Sequence, residues 1–297
     1  MDAKELILEK FPALPARMQD AARFVIDRPN EVVVSSMRTV AKRAGVQPAT
    51  FVRFAQHLGY SGWPELKAAF AADLGLQPER YGQRAKSLAR RGHDPHLSDE
   101  LFVAQRENLD VTEKKCASVL WEAVSLLKRA TKVHVAGFRA SFPIAYSFVY
   151  GYRLFRNSVY LIDGQNGNLE MQTRLLDASG VVMAISFAPY SKEAIQVIDA
   201  ARRAGTGIIA LTDSEASPLA LAADVTVLFS VNSPSFFPSV AAAVALSEAL
   251  LQLLLVATGD AAVQKLEEAE KQLYESGAYL QRPQKVSRSG RRPSGSP

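Results

Sequence analysis

The sequence has a single cysteine, Cys116, so an internal disulfide is excluded and the usage fits a reducing cytosol. Uninterrupted apolar runs of membrane-spanning length are also missing. The longest candidate, Val240 to Ala257, is broken by Ser247, Glu248 and Gln252 and reads as a buried helix. The N-terminus, MDAKELILEK, is charged and lacks the apolar stretch of a signal peptide, which points to a cytoplasmic location. No internal repeat is visible. Histidine is scarce, four in all, and the pair in His93-Asp94-Pro95-His96 reads as part of a solvated loop, so no metal or other cofactor is expected.

Charge is present but unevenly spread. Between Glu31 and Lys67 there are two acids and five bases, and between Gln281 and Pro297 five bases and no acid. The stretch from Ser98 to Leu280 is net acidic. A basic N-terminal segment on an otherwise acidic chain suits a double-stranded DNA partner. The Ser/Gly/Pro/Arg-rich tail, 281–297, is expected to be disordered.

Residues 35–60, SSMRTVAKRAGVQPATFVRFAQHLGY, carry the strongest pattern. Ala41 is small enough for two helices to approach. Gly45, four residues on, suits a left-handed turn, and Val46 fills the corner. Pro48 fits the first turn of the next helix, where its missing N–H costs nothing. Phe51, Phe54, Ala55 and Leu58 then share one face, and Thr50, Arg53 and His57 the other. This spacing predicts a helix-turn-helix. Its DNA-contact candidates are Lys42, Arg43, Gln47, Thr50, Arg53 and His57.

Helices are expected over Leu14–Asp27, Ser36–Ala44, Pro48–Leu58 and Trp63–Leu74, giving an all-α domain over residues 1–75. A polar, basic linker follows over 76–97, and a long helical segment over 98–130. From Thr131 the pattern changes to short β-prone runs: Lys132–Ala136, Val159–Ile162, Val181–Ile185, Gly207–Leu211 and Val225–Phe229. Helical stretches fall between them, roughly Phe142–Phe155, Asn168–Asp177, Lys192–Ala204 and Pro218–Ala222. Ser239–Val256 and Ala261–Ser276 read as two closing helices. Apolar strands alternating with helices predict a doubly wound α/β domain with a five-stranded parallel sheet, spanning 98–280. Ligands of such sheets bind beyond the carboxyl ends of the strands. That singles out the loops AGFRAS, 136–141, and SFAPYSK, 186–192, which offer N–H groups, hydroxyls and helix starts to an anion. Helix capping by the serines is the competing use.

The segments TVAKRAGVQPATFVRFAQHLGYSGWPELK, VHVAGFRAS and AISFAPYSKEAIQVIDAARRAGTGIIALTDSEASPLALAADVTVLF resemble the MurR/RpiR family of bacterial transcription regulators. The resemblance spans residues 10 to 275. It implies a helix-turn-helix joined to a sugar-isomerase (SIS) domain that senses a phosphorylated sugar, in a homodimer or homotetramer acting on a carbohydrate operon. By position it implies ligand contacts from Gly137, Ser141, Ser186 and Ser191, with Arg139 as an added anion contact. The chain departs from the family at three places. Arg139 stands where the first loop usually has a second Gly. Ala188, Pro189, Tyr190 and Ser191 fill the usual S-G-x-T half of the second loop. Gln47 stands where the recognition helix usually starts with Ser or Thr.

The competing class is a sugar-phosphate isomerase with an accessory helical domain. Such chemistry needs a base beside a carbonyl, and Glu170 and His134 are the available groups. His134 sits mid-strand and Glu248 inside an apolar helix, so no catalytic residue is assigned.

Overall fold

The computed structural model describes residues 3–73 and 81–279. The basic tail and residues 76–80 of the expected linker lie outside the described residues.

Six helices build the N-terminal unit: α1 (Ala3–Lys10), α2 (Ala16–Asp27), α3 (Pro29–Val34), α4 (Met37–Arg43), α5 (Pro48–Leu58) and α6 (Trp63–Asp73). The Ser36 hydroxyl caps α4 by accepting the Thr39 N–H at 3.2 Å. Gly45 takes φ +67° with open space around its Cβ position, so the backbone conformation is what requires glycine there. The Val46 N–H returns to Ala41 O at 3.0 Å, closing the turn, and Pro48 opens α5. Phe51, Phe54, Ala55 and Leu58 are buried with Val40, Ala41, Trp63, Leu66 and Phe70. Each fully buried phenylalanine contributes about 1.5–3 kcal/mol of apolar burial. Phe54→Ala would therefore cost about 3–5 kcal/mol and loosen the recognition helix.

The sequence reading missed α1 and α3. Both are short, and α3 begins at Pro29 directly after α2, where the periodicity has no room to show. The expected linker contains a helix, α7 (Tyr81–Ala89). The long helix expected over 98–130 is two: α8 (Leu97–Cys116) and α9 (Leu120–Arg129), parted by a turn at 117–119.

The second unit is a five-stranded parallel sheet in the order β2-β1-β3-β4-β5. The strands are β1 (Val133–Gly137), β2 (Val159–Ile162), β3 (Val181–Ile185), β4 (Gly207–Thr212) and β5 (Val225–Leu228). Strand residues alternate between two cores. Val133, Val135, Val181, Met183, Ile185, Ile209 and Leu211 pack on α9, α10 (Phe142–Arg153) and α13 (Ala241–Thr258). Ala136, Val182, Ala184, Ile208 and Ala210 pack on α12 (Lys192–Ala204). Burial on both faces explains why these strands read as continuous apolar runs. The second helical stretch shrinks to α11 (Leu169–Thr173), and Pro218–Ala222 yields only a 3-10 turn at Ala220–Ala222. The closing helix is α14 (Asp260–Glu275). Among the described residues α13 alone is long and apolar enough to cross a membrane, but it buries Ala243, Leu246, Leu250 and Leu254 in the core of this unit.

Candidate functional site

The recognition helix α5 presents its polar face as expected. Arg53, His57 and Gln47 are exposed and Thr50 is half-buried. Lys42, Gln47 and Thr50 line a concavity of about 300 Å³ at the turn, together with Arg17 from α2. The sequence reading missed Arg17. It lies outside the helix-turn-helix, and only the packing of α2 across α5 brings it to that surface. Its contact with Asp20 is long, at 3.9 Å, and largely exposed. Lys42 and Arg43, adjacent in sequence, part company. Arg43 lines a cleft of about 550 Å³ between α4 and α12, beside Lys67, Lys192, Asp199 and Arg202. Burial pushes the Lys67 ammonium below its usual range, and it donates to Ser35 O at 2.7 Å.

The strand order reverses between β1 and β3, so the crevice at their carboxyl ends is the switch point of the sheet. Gly137 ends β1. A Cβ there would lie 2.5 Å from Ala145 Cβ and 2.7 Å from Ser141 O, so close packing of the loop on α10 requires glycine. Arg139 takes φ +53°, uncommon for a residue with a side chain. Its guanidinium donates to Glu193 Oε1 at 2.8 Å, while Glu193 Oε2 is buried without a partner. Arg139 thus ties the two loops together. Ser141 is buried at the start of α10.

The second loop spends several of its donors within the protein. The Ser186 N–H bonds Leu211 O, and the Ser191 N–H points at Ser186 Oγ at 3.5 Å. Ser191 Oγ caps α12 by accepting the Ala194 N–H at 3.2 Å. The Ala188 N–H goes to Asp213 Oδ2 and the Tyr190 hydroxyl to Asp213 Oδ1, at 3.2 and 2.9 Å. Burial and the Asp213 charge hold the Tyr190 phenol far above its usual range. Pro189 follows a cis peptide bond and has no N–H to give. A cavity of about 660 Å³ lies on the other side of Ala188, at the ends of β4 and β5. Asp213, Arg84 and Lys115 line it, and none of these was singled out from sequence. Only the Thr212-Asp213-Ser214 segment, closing β4, carried a readable signal.

The groups considered for catalysis are placed as follows. Glu170 is exposed and paired with Arg174 at 2.6 Å. His134 is buried mid-strand and stacks on Tyr160, with ring centroids 5.4 Å apart. Glu248 is exposed.

Comparison with known proteins agrees with this architecture. The helix-turn-helix domain of the rpiR family matches residues 1–77, and the SIS domain matches residues 126–256. An uncharacterized HTH-type transcriptional regulator of Caldanaerobacter subterraneus subsp. tengcongensis is 25% identical over 217 residues, 72% of this chain and 75% of the relative. The uncharacterized HTH-type transcriptional regulator YfhH of Escherichia coli is 26% identical over 212 residues, 69% and 73% of the two chains. The sugar isomerase domain of an RpiR transcription factor from Sphaerobacter thermophilus superposes with a TM-score of 0.57 at 22% identity, over 59% of this chain and 99% of that one. Vibrio vulnificus NanR, solved with ManNAc-6P, superposes with a TM-score of 0.56 at 16% identity, over 93% and 99%. A helix-turn-helix of the rpiR type, a parallel five-stranded SIS sheet and regulators matched along both place this chain in the RpiR family of HTH-type transcriptional regulators.

Proposed function

We propose that this chain represses or activates a carbohydrate or related catabolic operon in the cytoplasm, under the control of a small anionic metabolite of the sugar-phosphate class. One observation carries the reading. A basic recognition face and a strand-end crevice occur in one chain, and α12 links them: its cap, Ser191, sits in the ligand loop, and its Lys192, Asp199 and Arg202 line the cleft against α4. The ligand class draws support from NanR, whose structure contains ManNAc-6P. Gly137, Arg139, Ser141, Ser186 and Ser191 are the proposed ligand-loop residues. Lys42, Gln47, Thr50, Arg53 and His57 are the proposed operator contacts, with Arg43 facing the domain cleft. We assign no reaction to the chain, because the exposed, ion-paired Glu170 is unsuited to act as a buried base. The working unit is a homodimer or homotetramer, since one small helix-turn-helix gives a poor specificity ratio.

Operator-fragment anisotropy with and without a panel of sugar phosphates tests this. A ligand with different affinity for the DNA-competent and DNA-incompetent states must shift the midpoint. A chain that binds no DNA, or that turns over a sugar phosphate at an enzyme-like rate, would refute the reading.

A further inference from the structure

The cleft between α4 and α12 is walled by both units of the chain and lies away from the crevice between β1 and β3. Its volume, about 550 Å³, is in the range of small-molecule sites, which favour domain interfaces. Helical spacing builds the walls. Ser36, Thr39 and Arg43 follow one another at i, i+3 and i+7 along α4 and its cap. Ile195, Asp199 and Arg202 stand at i, i+4 and i+7 along α12, and Lys192 lies one turn before them. Lys67 of α6 enters beside α4, and Pro218 and the exposed Leu221, which follow β4, add apolar surface.

Positive charge prevails in this space. Lys67, Lys192 and Arg202 are set against one acid, Asp199. Arg43 lines the cleft too, but it has a partner of its own, so its charge is left out of the count. Among the described residues Lys192 and Arg202 have no ion-pair partner. Lys67 is held by its bond to Ser35 O at 2.7 Å, and burial pushes its ammonium down with no opposing charge to offset it. A half-buried cation of this kind carries a desolvation cost that an anion beside it would offset. The Ser36 and Thr39 hydroxyls lie 2.9 Å apart and share one hydrogen, which leaves the other to donate. Charge of this sign rejects a cation, and the apolar contacts from Ile195, Pro218 and Leu221 give an organic body an advantage over a bare inorganic ion.

We infer that this cleft is a second ligand site, for a small organic anion that carries a phosphate or carboxylate on an apolar body. Lys67, Lys192 and Arg202 take the charged group, and Ile195, Pro218 and Leu221 take the body. The occupant touches α4 and α6 on one side and α12 on the other, so it holds the helix-turn-helix and the sheet unit in one relative placement. The site goes beyond the metabolite sensing proposed above and does not depend on it. The sugar-phosphate panel tests that reading, and the probes below test this one, so either can fail alone.

The test is calorimetry on the full chain with phenyl phosphate, inorganic phosphate and phenol. Phenyl phosphate should bind the wild type more tightly than phosphate, which lacks the apolar body, and than phenol, which lacks the charge. Lys192→Gln and Arg202→Gln should each weaken phenyl phosphate roughly three- to tenfold, as loss of a partly exposed charged contact does. Asp199→Asn removes the one opposing carboxylate and should tighten it several-fold. Arg203→Gln, next to Arg202 but outside the cleft lining, should match wild type. Phenyl phosphate should also slow acetylation of Lys67 and Lys192 by acetic anhydride, read by peptide mass spectrometry, and leave Lys265 on α14 unprotected. Failure of the wild type to bind phenyl phosphate at millimolar concentration would overturn the proposal, as would wild-type affinity in Lys192→Gln, Arg202→Gln and Asp199→Asn alike. Binding without protection of Lys67 would overturn it too, since the probe would then sit elsewhere. Should the two cation variants bind phenyl phosphate as wild type does but operator more weakly, the cleft serves the DNA backbone and the proposal falls.

Discussion

Arg139 and Glu193 form a 2.8 Å ion pair that joins the exit of β1 to the first turn of α12. Arg139 stands at φ +53°, a conformation that costs an L-residue about 1–2 kcal/mol. The pair offsets little of this, because Arg139 is largely exposed and exposed pairs contribute about 0–1 kcal/mol. Arg139→Gly should therefore leave stability within about 1 kcal/mol of wild type, whereas β-branched Arg139→Val should cost about 2 kcal/mol. Urea unfolding of the three proteins checks this. Glu193→Gln removes the carboxylate that competes for the guanidinium, so an anionic ligand reaching these loops should bind several-fold more tightly. Unchanged affinity would place Arg139 outside the ligand site.

Gly137 tests the packing of the same loop. In Gly137→Ala the new methyl meets a backbone carbonyl and the Ala145 methyl, neither of which can swing aside. The expected cost is about 1–3 kcal/mol, the range for overpacking, with a displaced Ser141 and a weakened ligand response. A variant as stable and responsive as wild type would mean that the β1 loop has room the structure does not show.

Much of this fold was legible because the sheet is buried on both faces. Val159–Ile162 and Val181–Ile185 stand where the apolar runs placed them, and Lys192–Ala204 is bounded as read. The break between α8 and α9 was not legible, since Ala117, Ser118 and Val119 include no glycine or proline to punctuate it. Part of the candidate site could be nominated from sequence. Ser141, Ser186 and Arg139 could be nominated because they follow strands. The cavity-lining Arg84 and Lys115 could not, since each lies on a helix far in sequence from the strand ends near that cavity. The Ser191 hydroxyl accepts the Ala194 N–H as a helix cap, the competing use weighed for it, and keeps its own O–H to donate.

On the DNA side, the four basic groups should not all behave alike. Arg53→Ala should cost about 1–3 kcal/mol of operator affinity and relax discrimination if Arg53 reads a base. Lys42→Ala and Arg17→Ala border the same concavity, and each should weaken all sequences alike and lower the salt slope by about one. Arg43→Ala should change free-operator affinity less than Lys42→Ala, because Arg43 faces the cleft against α12. Salt-titrated anisotropy on operator and random duplexes separates these outcomes. Equal effects of Lys42→Ala and Arg43→Ala would mean that the cleft opens on DNA.

Oligomerisation should run through α13 and α8. Between them lies an apolar groove of about 610 Å³ lined by Leu109, Leu120, Ala245, Ala249 and Leu253, with Val256 exposed beyond it. Leu253→Glu, on its margin, should shift a dimer toward monomer in light scattering at micromolar concentration. A monomeric wild type would contradict the assignment, as would a variant of unchanged mass.

The last expectation concerns pH. His134 is buried in β1, its Nδ1 has no hydrogen-bond partner, and burial holds its pKa below the ordinary value of 6.5, with Lys132 adding to the shift. The folded chain therefore binds this proton less readily than the unfolded chain. Stability rises with pH wherever the unfolded state holds more protons. The contribution of neutral His134 is complete above about pH 6.5 and is lost as pH falls from there through the lower folded value. Denaturant midpoints measured from pH 8 to pH 5 should fall for wild type. In His134→Asn, which fills much of the same space without titrating, the fall over that window should be shallower. Parallel profiles for the two proteins would show that the acid sensitivity arises at other groups.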